Sequence, residues 1–352
     1  MIPTVKKGAF TAMFTNKDNI MQNEPVYPLL EKDGTFTPLG LLFPIKEIIK
    51  VTDSAFEKEY VEGVDYELTS DGLLKIIVGG AIPCVPYGAY YPDELVPGEA
   101  FGRAGGGLIM FSEDGRFHKS QIAVTYKYDG QWDGPLPENQ SKKINRFLEK
   151  AEKKDAVTVL FYGDSITVGA NASSFMGLPP YSKTWTEQVT EAIEKKYDNH
   201  NINYVNTAVG GTTSDWGLQE ANERVFPYQP DVMFLAFGMN CGGAVTPEKF
   251  KENLKGIISV ARESNPQCDV VLISTSLPNE DVAGFMGMQP LYIEKIREIA
   301  EELDHVAVAD MTGMHQYLLT KKRFCDMTGN NVNHPNDFLV NVYADTVIKT
   351  IL

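Results

Sequence analysis

From Val157 onwards the chain alternates short apolar runs with stretches of helical spacing, and this alternation limits the possible folds more than any other feature. The runs are VTVLFY from Val157, INYVN from Ile202, DVMFLAF from Asp231, CDVVLIST from Cys268 and HVAVA from His305. Between them lie helical patterns near 182–197, after Ser214, at 247–264 and at 291–303, with a last one from Pro335 to the end. Strands this apolar must be covered on both faces, which requires a parallel sheet between two helical layers. The expected fold class is α/β: a three-layer, doubly wound α/β/α domain with a five-stranded parallel sheet.

The first part of the chain has another texture. Short β-prone pieces such as VDYEL, LLKIIV and QIAVTYKY are separated by turn signals such as SDG, EDG and YDG. An antiparallel β-sandwich, jelly-roll-like, is expected here. PGEAFGRAGGGLIMF from Pro97 lacks the GK[ST] ending of a phosphate loop and reads as a glycine-rich turn between strands. After the connector GPLPENQ, SKKINRFLEKAEKKD has helical spacing, so the domains are expected at 1–140 and 141–352.

The formal charge of −15 repels phosphate-rich partners, so nucleic acid is not expected as a partner. Cys84, Cys241, Cys268 and Cys325 lie far apart without CxxC spacing and read as isolated thiols. MIPTVKKGAF lacks the apolar core of a secretory signal, and no stretch approaches the roughly 20 apolar residues of a membrane span. A cytoplasmic protein is expected, or a secreted one if a signal has been removed. The oligomeric state stays open.

In a sheet of this kind the loops at the carboxyl ends of the strands meet at the ligand crevice. The first strand runs into GDSITVG, which puts Ser165 at the start of the loop. The second runs into NTAVGGTTS, where Gly210 and Gly211 let backbone N–H groups approach a ligand; Thr212, Thr213 or Ser214 is a helix cap. The third ends in FGMNC, where Asn240 either stabilises a turn or donates to an oxyanion. Near the end, NNVNHPNDF sets His334 before Pro335, the expected first helical residue, and Asp337 in the first turn, where its charge suits the helix dipole.

Taken in order, GDSITVG, the glycine turn after Asn206, the G-x-N of Gly238 to Asn240 and the His-Pro at His334 resemble the four blocks of the SGNH (GDSL) hydrolases, from about Val157 to the C-terminus. The resemblance implies Ser165 as nucleophile and His334 as general base. It also implies an oxyanion hole of the Ser165 N–H, the Gly211 N–H and the Asn240 side chain. A serine hydroxyl needs an adjacent base to become a good nucleophile, and histidine suits that task near neutral pH.

The pattern departs from the family at Asn331, where an Asp is usual three residues before the histidine. An Asn can accept from Nδ1–H but brings no negative charge. A Ser–His dyad oriented by Asn331 or a backbone carbonyl is therefore expected, with Asp310 and Asp326 as fallback acids. Cys241 stands where the family often has Asp and reads as a small buried residue.

A β-rich module before an SGNH domain without its usual acid is similar to the carbohydrate esterases of family 2. That likeness implies a small-molecule or oligosaccharide ester as substrate, an acetyl group as the acyl moiety, and no cofactor. Phe175, Tyr181, Trp185 and Trp216 are aromatic candidates for a sugar platform, with Trp216 foremost. The histidines show no HxH or HExxH spacing, so no catalytic metal is expected; His118, His200, His305 and His315 read as surface or packing residues. Two alternatives stay open: a lysophospholipase or short-chain lipase, and a non-catalytic carbohydrate-binding module with a degraded site.

Overall fold

The computed structural model describes residues 19–352. In the first part, β1 (Ile20–Val26), β2 (Ile45–Asp53), β3 (Glu59–Tyr60) and β8 (Ile122–Tyr128) form one antiparallel sheet in the order β1-β8-β2-β3. β4 (Tyr66–Leu68) pairs with β5 (Leu74–Ile76), and β6 (Ala100–Gly102) pairs with β7 (Leu108–Met110), as two-stranded ribbons. The glycine-rich stretch after Pro97 is thus the β6–β7 hairpin. Two short helices flank these ribbons, α1 (Tyr87–Tyr90) and α2 (Arg116–Lys119).

After α3 (Asn145–Glu152), five strands pair in parallel: β9 (Val157–Gly163), β10 (Ile202–Asn206), β11 (Val232–Ala236), β12 (Asp269–Ile273) and β13 (Val306–Ala309). Their order is β10-β9-β11-β12-β13. The chain moves from β9 to one side and then to the other, so the topological switch lies beside β9, and the crevice opens between the carboxyl ends of β9 and β11. The expected five-stranded parallel sheet is present, each strand within a residue or two of its place in the sequence.

The covering helices are α4 (Ser165–Val168), α5 (Trp185–Tyr197), α6 (Ser214–Arg224), α7 (Pro247–Ser264), α8 (Tyr292–Glu302), α9 (Met311–Leu319) and α10 (Asp337–Ile351). Their starts follow local chemistry. Thr184 and Glu187 form a capping box on α5, and Thr213, Thr246 and Asn336 cap α6, α7 and α10. The final helix therefore starts at Asp337, two residues later than expected, because the Asn336 side chain, not the ring of Pro335, fixes its entry. Helix α9 was not expected; Asp310 caps it through the Gly313 N–H at 2.8 Å.

The N-terminal sheet and the parallel sheet share one continuous apolar cluster, with Val26, Val51 and Tyr126 in the same packed set as Val159, Phe338 and Tyr343. A buried ion pair crosses the same contact. A register shift between Met21 and Glu24, with Asn23 at φ 54°, marks a bulge after which Glu24, Pro25 and Val26 are all buried. Glu24 then meets Lys322 Nζ at 2.5 Å and accepts from the Leu42 N–H at 2.9 Å and the Tyr126 hydroxyl at 2.6 Å.

Beyond Lys322, the chain up to Asn336 is tied to the N-terminal region by a series of hydrogen bonds. The Tyr27 N–H donates to Asp326 at 2.7 Å, and Gln121 donates to the carbonyls of Cys325 and Thr328 at 3.1 and 3.0 Å. Asn336 donates back to Gln121 at 3.1 Å. This stretch carries His334, so the residues that flank β1 and β8 form part of the histidine's foundation.

Candidate active site

Ser165 stands at the first position of α4, in the turn that leaves β9. Asp164 caps the turn by accepting the Ile166 N–H at 3.1 Å, and burial pushes its carboxyl up to about 6. Gly163 is dictated by space: a Cβ there would lie 2.3 Å from the Ala236 carbonyl oxygen and 2.4 Å from Thr167 Oγ1. Any side chain would separate β9 from β11 where the crevice begins. From behind, the fully buried Trp185 donates its Nε1–H to the Ile166 carbonyl at 2.9 Å. The turn is thereby locked at its cap, at its glycine and on its inner face.

His334 reaches the same point from the far end of the chain. Its Nε2 lies 2.9 Å from Ser165 Oγ, and its Nδ1 lies 2.6 Å from Asn171 Oδ1. Asn171 directs its amide nitrogen at the Gly329 carbonyl, 3.3 Å away, which leaves its oxygen to accept from Nδ1–H. That arrangement selects the tautomer with a proton on Nδ1 and a free lone pair on Nε2 facing the serine hydroxyl. A carboxylate stands alongside: Glu113 Oε1 is 3.2 Å from Nδ1.

Asn331, expected to hold the imidazole, does something else. Its backbone is left-handed at φ 70°, its oxygen accepts from the Tyr90 hydroxyl at 2.9 Å, and its amide donates to the Met110 carbonyl at 3.0 Å. It pins the histidine loop to the β6–β7 ribbon, and an asparagine does hold Nδ1, but that asparagine is Asn171. The fallback acids are also occupied elsewhere. Asp310 caps α9 and pairs with Arg297, and Asp326 pairs with Arg323. Asp337 accepts the Ser173 N–H at 2.8 Å within the first turn of α10.

Ser165, His334, Gly210, Gly211 and Asn240 line one open cleft of about 470 Å³. Gly211 sits at φ 76°, where a side chain would be strained, and Asn240 donates to the Thr212 carbonyl at 3.0 Å. Trp216 does not line this cleft. It packs on the outer layer under the Arg224 guanidinium, 4.9 Å from the ring centroid, and beside Tyr162. Of the other aromatic candidates, Phe175 lines the cleft, Trp185 is core and Tyr181 is exposed. Phe101, Phe111 and Phe285 complete an aromatic wall, with Phe101 and Phe111 edge to face at 4.9 Å.

Glu113, Phe101 and Phe111 come from the N-terminal region and Asn171 from the loop after α4; no motif marks any of them. A second cleft of equal volume, lined by Leu136, Gln140, Arg297 and Asp310 among others, brings together no serine, cysteine or histidine. Cys241 is buried beside Ser214, and burial pushes its thiol up to about 11, so it packs as a neutral group. Among the described residues no group of three or more His, Cys, Asp or Glu gathers as a metal site. No helix among them is long and apolar enough to cross a membrane.

The sequence model of the GDSL-like lipase/acylhydrolase family matches residues 161–338, just over half of the 352 residues, from β9 through the histidine loop into α10. The chain belongs to this family, whose members are carboxylic ester hydrolases. Several solved structures are similar to it. A two-domain esterase active on acetylated mannans is 17% identical, over 60% of this chain and 53% of that one, with a TM-score of 0.47. The acetylxylan esterase Axe2 of Geobacillus stearothermophilus is 19% identical, over 55% and 94%, with a TM-score of 0.45. Among curated proteins, an uncharacterized protein of Mycoplasma pneumoniae is 27% identical over 119 residues, 32% of this chain and 13% of that protein. The chain thus spans a small part of that curated relative and about half of the mannan esterase.

Proposed function

We propose that the protein is a serine esterase that hydrolyses short-chain acyl esters, acetyl esters of carbohydrate first among them, through an acyl-enzyme. The observation that carries this reading is the 2.9 Å contact between Ser165 Oγ and His334 Nε2, on the tautomer held by Asn171. Ser165 Oγ attacks the ester carbonyl carbon while its proton passes to Nε2. The resulting oxyanion faces the Ser165 and Gly211 N–H groups and the Asn240 amide. Collapse breaks the bond to the alkoxy oxygen, which leaves as alcohol with the proton from Nε2. Water, deprotonated by the same nitrogen, then releases the acid and restores Ser165.

A side-chain donor in an oxyanion hole acts on charge that develops only in the transition state. Asn240→Ala is therefore expected to lower kcat by about 10²- to 10³-fold with little change in KM. A loss carried by KM alone would assign Asn240 to substrate binding. The intact Ser–His contact weighs against a degraded, non-catalytic module.

The aromatic wall favours a second reading, a short-chain lipase, because four phenylalanine faces also suit an alkyl chain. A series of p-nitrophenyl esters separates the two. The acetyl reading expects kcat/KM to fall at least about tenfold from acetate to octanoate. Equal or rising turnover with chain length would replace it by the lipase reading.

A further inference from the structure

Glu113 lies in the loop after β7, which the N-terminal region brings to the cleft. Its Oε1 accepts from the Asn330 amide at 2.8 Å and stands 3.2 Å from His334 Nδ1. Asn330 in turn accepts the N–H groups of Val332, Asn333 and His334, each at 3.0 Å. One asparagine therefore sets the histidine loop and the carboxylate in register.

The histidine has a neutral partner in Asn171, which fixes its tautomer but brings no charge. The position where the family usually carries an acid is Asn331, and its side chain is turned toward Tyr90 and Met110. We propose that Glu113, supplied by the N-terminal region, is the positioning residue whose negative charge stabilises His334 as it takes the proton of Ser165. This inference rests on the serine-esterase reading and adds to it a site completed by both parts of the chain.

Burial would push the Glu113 carboxyl up, but the nearby His334 ring and the Asn330 amide outweigh it and hold the group below its ordinary range. It is a carboxylate at neutral pH. The charged groups that bear on His334 are Glu113 from the loop after β7 and Asp164 from the turn after β9. Asp114 and Arg116, beside Glu113, pair with each other, and Asp337 on α10 faces Ser173.

The test is Glu113→Gln, which keeps the shape and an oxygen for the Asn330 amide while removing the charge. A carboxylate favours imidazolium, so without it the histidine loses its proton at lower pH. The acid limb of the kcat/KM profile should move down by about half to one pH unit, modest because Glu113 is half exposed. Plateau kcat/KM should fall on the order of tenfold, less than for loss of an orienting acid, because Asn171 still holds the tautomer.

The deciding readout is the NMR titration midpoint of the His334 ring protons, assigned by their loss in His334→Ala. It needs no turnover. A midpoint that moves down in Glu113→Gln, and stays near wild type in Asp114→Asn, supports the proposal. A midpoint unchanged in Glu113→Gln overturns it, whatever the activity. Absence of esterase activity in the wild-type protein would instead remove the serine-esterase reading while leaving this midpoint measurable.

Discussion

Ser165→Ala is expected to lower kcat by about 10⁶-fold, the scale on which removing the nucleophile acts in a serine hydrolase whose residues work as a unit. KM should stay within a few-fold, because the alcohol and acyl groups are held by the cleft and not by the hydroxyl. The melting temperature should also stay close to wild type. The turn that carries Ser165 is held by the Asp164 cap, the close approach at Gly163 and the Trp185 bond to Ile166, none of which uses the hydroxyl. Steady-state kinetics on p-nitrophenyl acetate with a parallel thermal melt checks both halves. Activity within tenfold of wild type in a folded Ser165→Ala protein would move the nucleophile elsewhere.

On stability, the largest single effect is expected at Lys322. Lys322→Ala leaves Glu24 buried against Leu42 and Tyr126 without its partner charge, and breaking a buried pair from one side typically costs about 3–5 kcal/mol. Removing both charges in Glu24→Gln with Lys322→Met should recover most of that loss, since the desolvation cost of the charges goes with their attraction. Urea unfolding of the wild type and the two variants measures this as shifts in midpoint at constant slope. A Lys322→Ala protein as stable as wild type would contradict the buried-pair account.

Much of the hydrolase half could be read in the sequence because its signals are local. A strand buried on both faces shows as an unbroken apolar run, and a helix shows its cap and its period. GDSITVG, the Gly210–Gly211 turn and Asn240 fall at strand ends, where the parallel sheet gathers them. What stayed hidden depends on contacts between distant residues. Asn331 has the right spacing for a histidine partner, but its left-handed backbone aims the side chain at the β6–β7 ribbon. Asn171, six residues after the serine, reaches Nδ1 only because the loop after α4 folds back over His334. Glu113 lies 221 residues before His334 in a stretch that looks like ordinary turn sequence.

Of the phenylalanines that line the cleft, the sequence points only to Phe175, for a related reason. Trp216 lies close to a motif in sequence, yet the start of α6 points it to the outer layer, where Arg224 covers it. The phenylalanines that line the cleft come from three separate parts of the chain. Helix α9 gives a weak sequence signal, because MTGMHQYLL follows β13 directly and carries a glycine within its first turn.

The measurement that most directly tests the Ser165–His334 account is labelling with a fluorophosphonate, followed by peptide mass analysis. The account predicts one adduct per chain, on the peptide containing Ser165, formed slowly in His334→Ala and not at all in Ser165→Ala. A wild-type protein that takes up no probe and hydrolyses no acetyl ester, or one labelled at another residue, would contradict it.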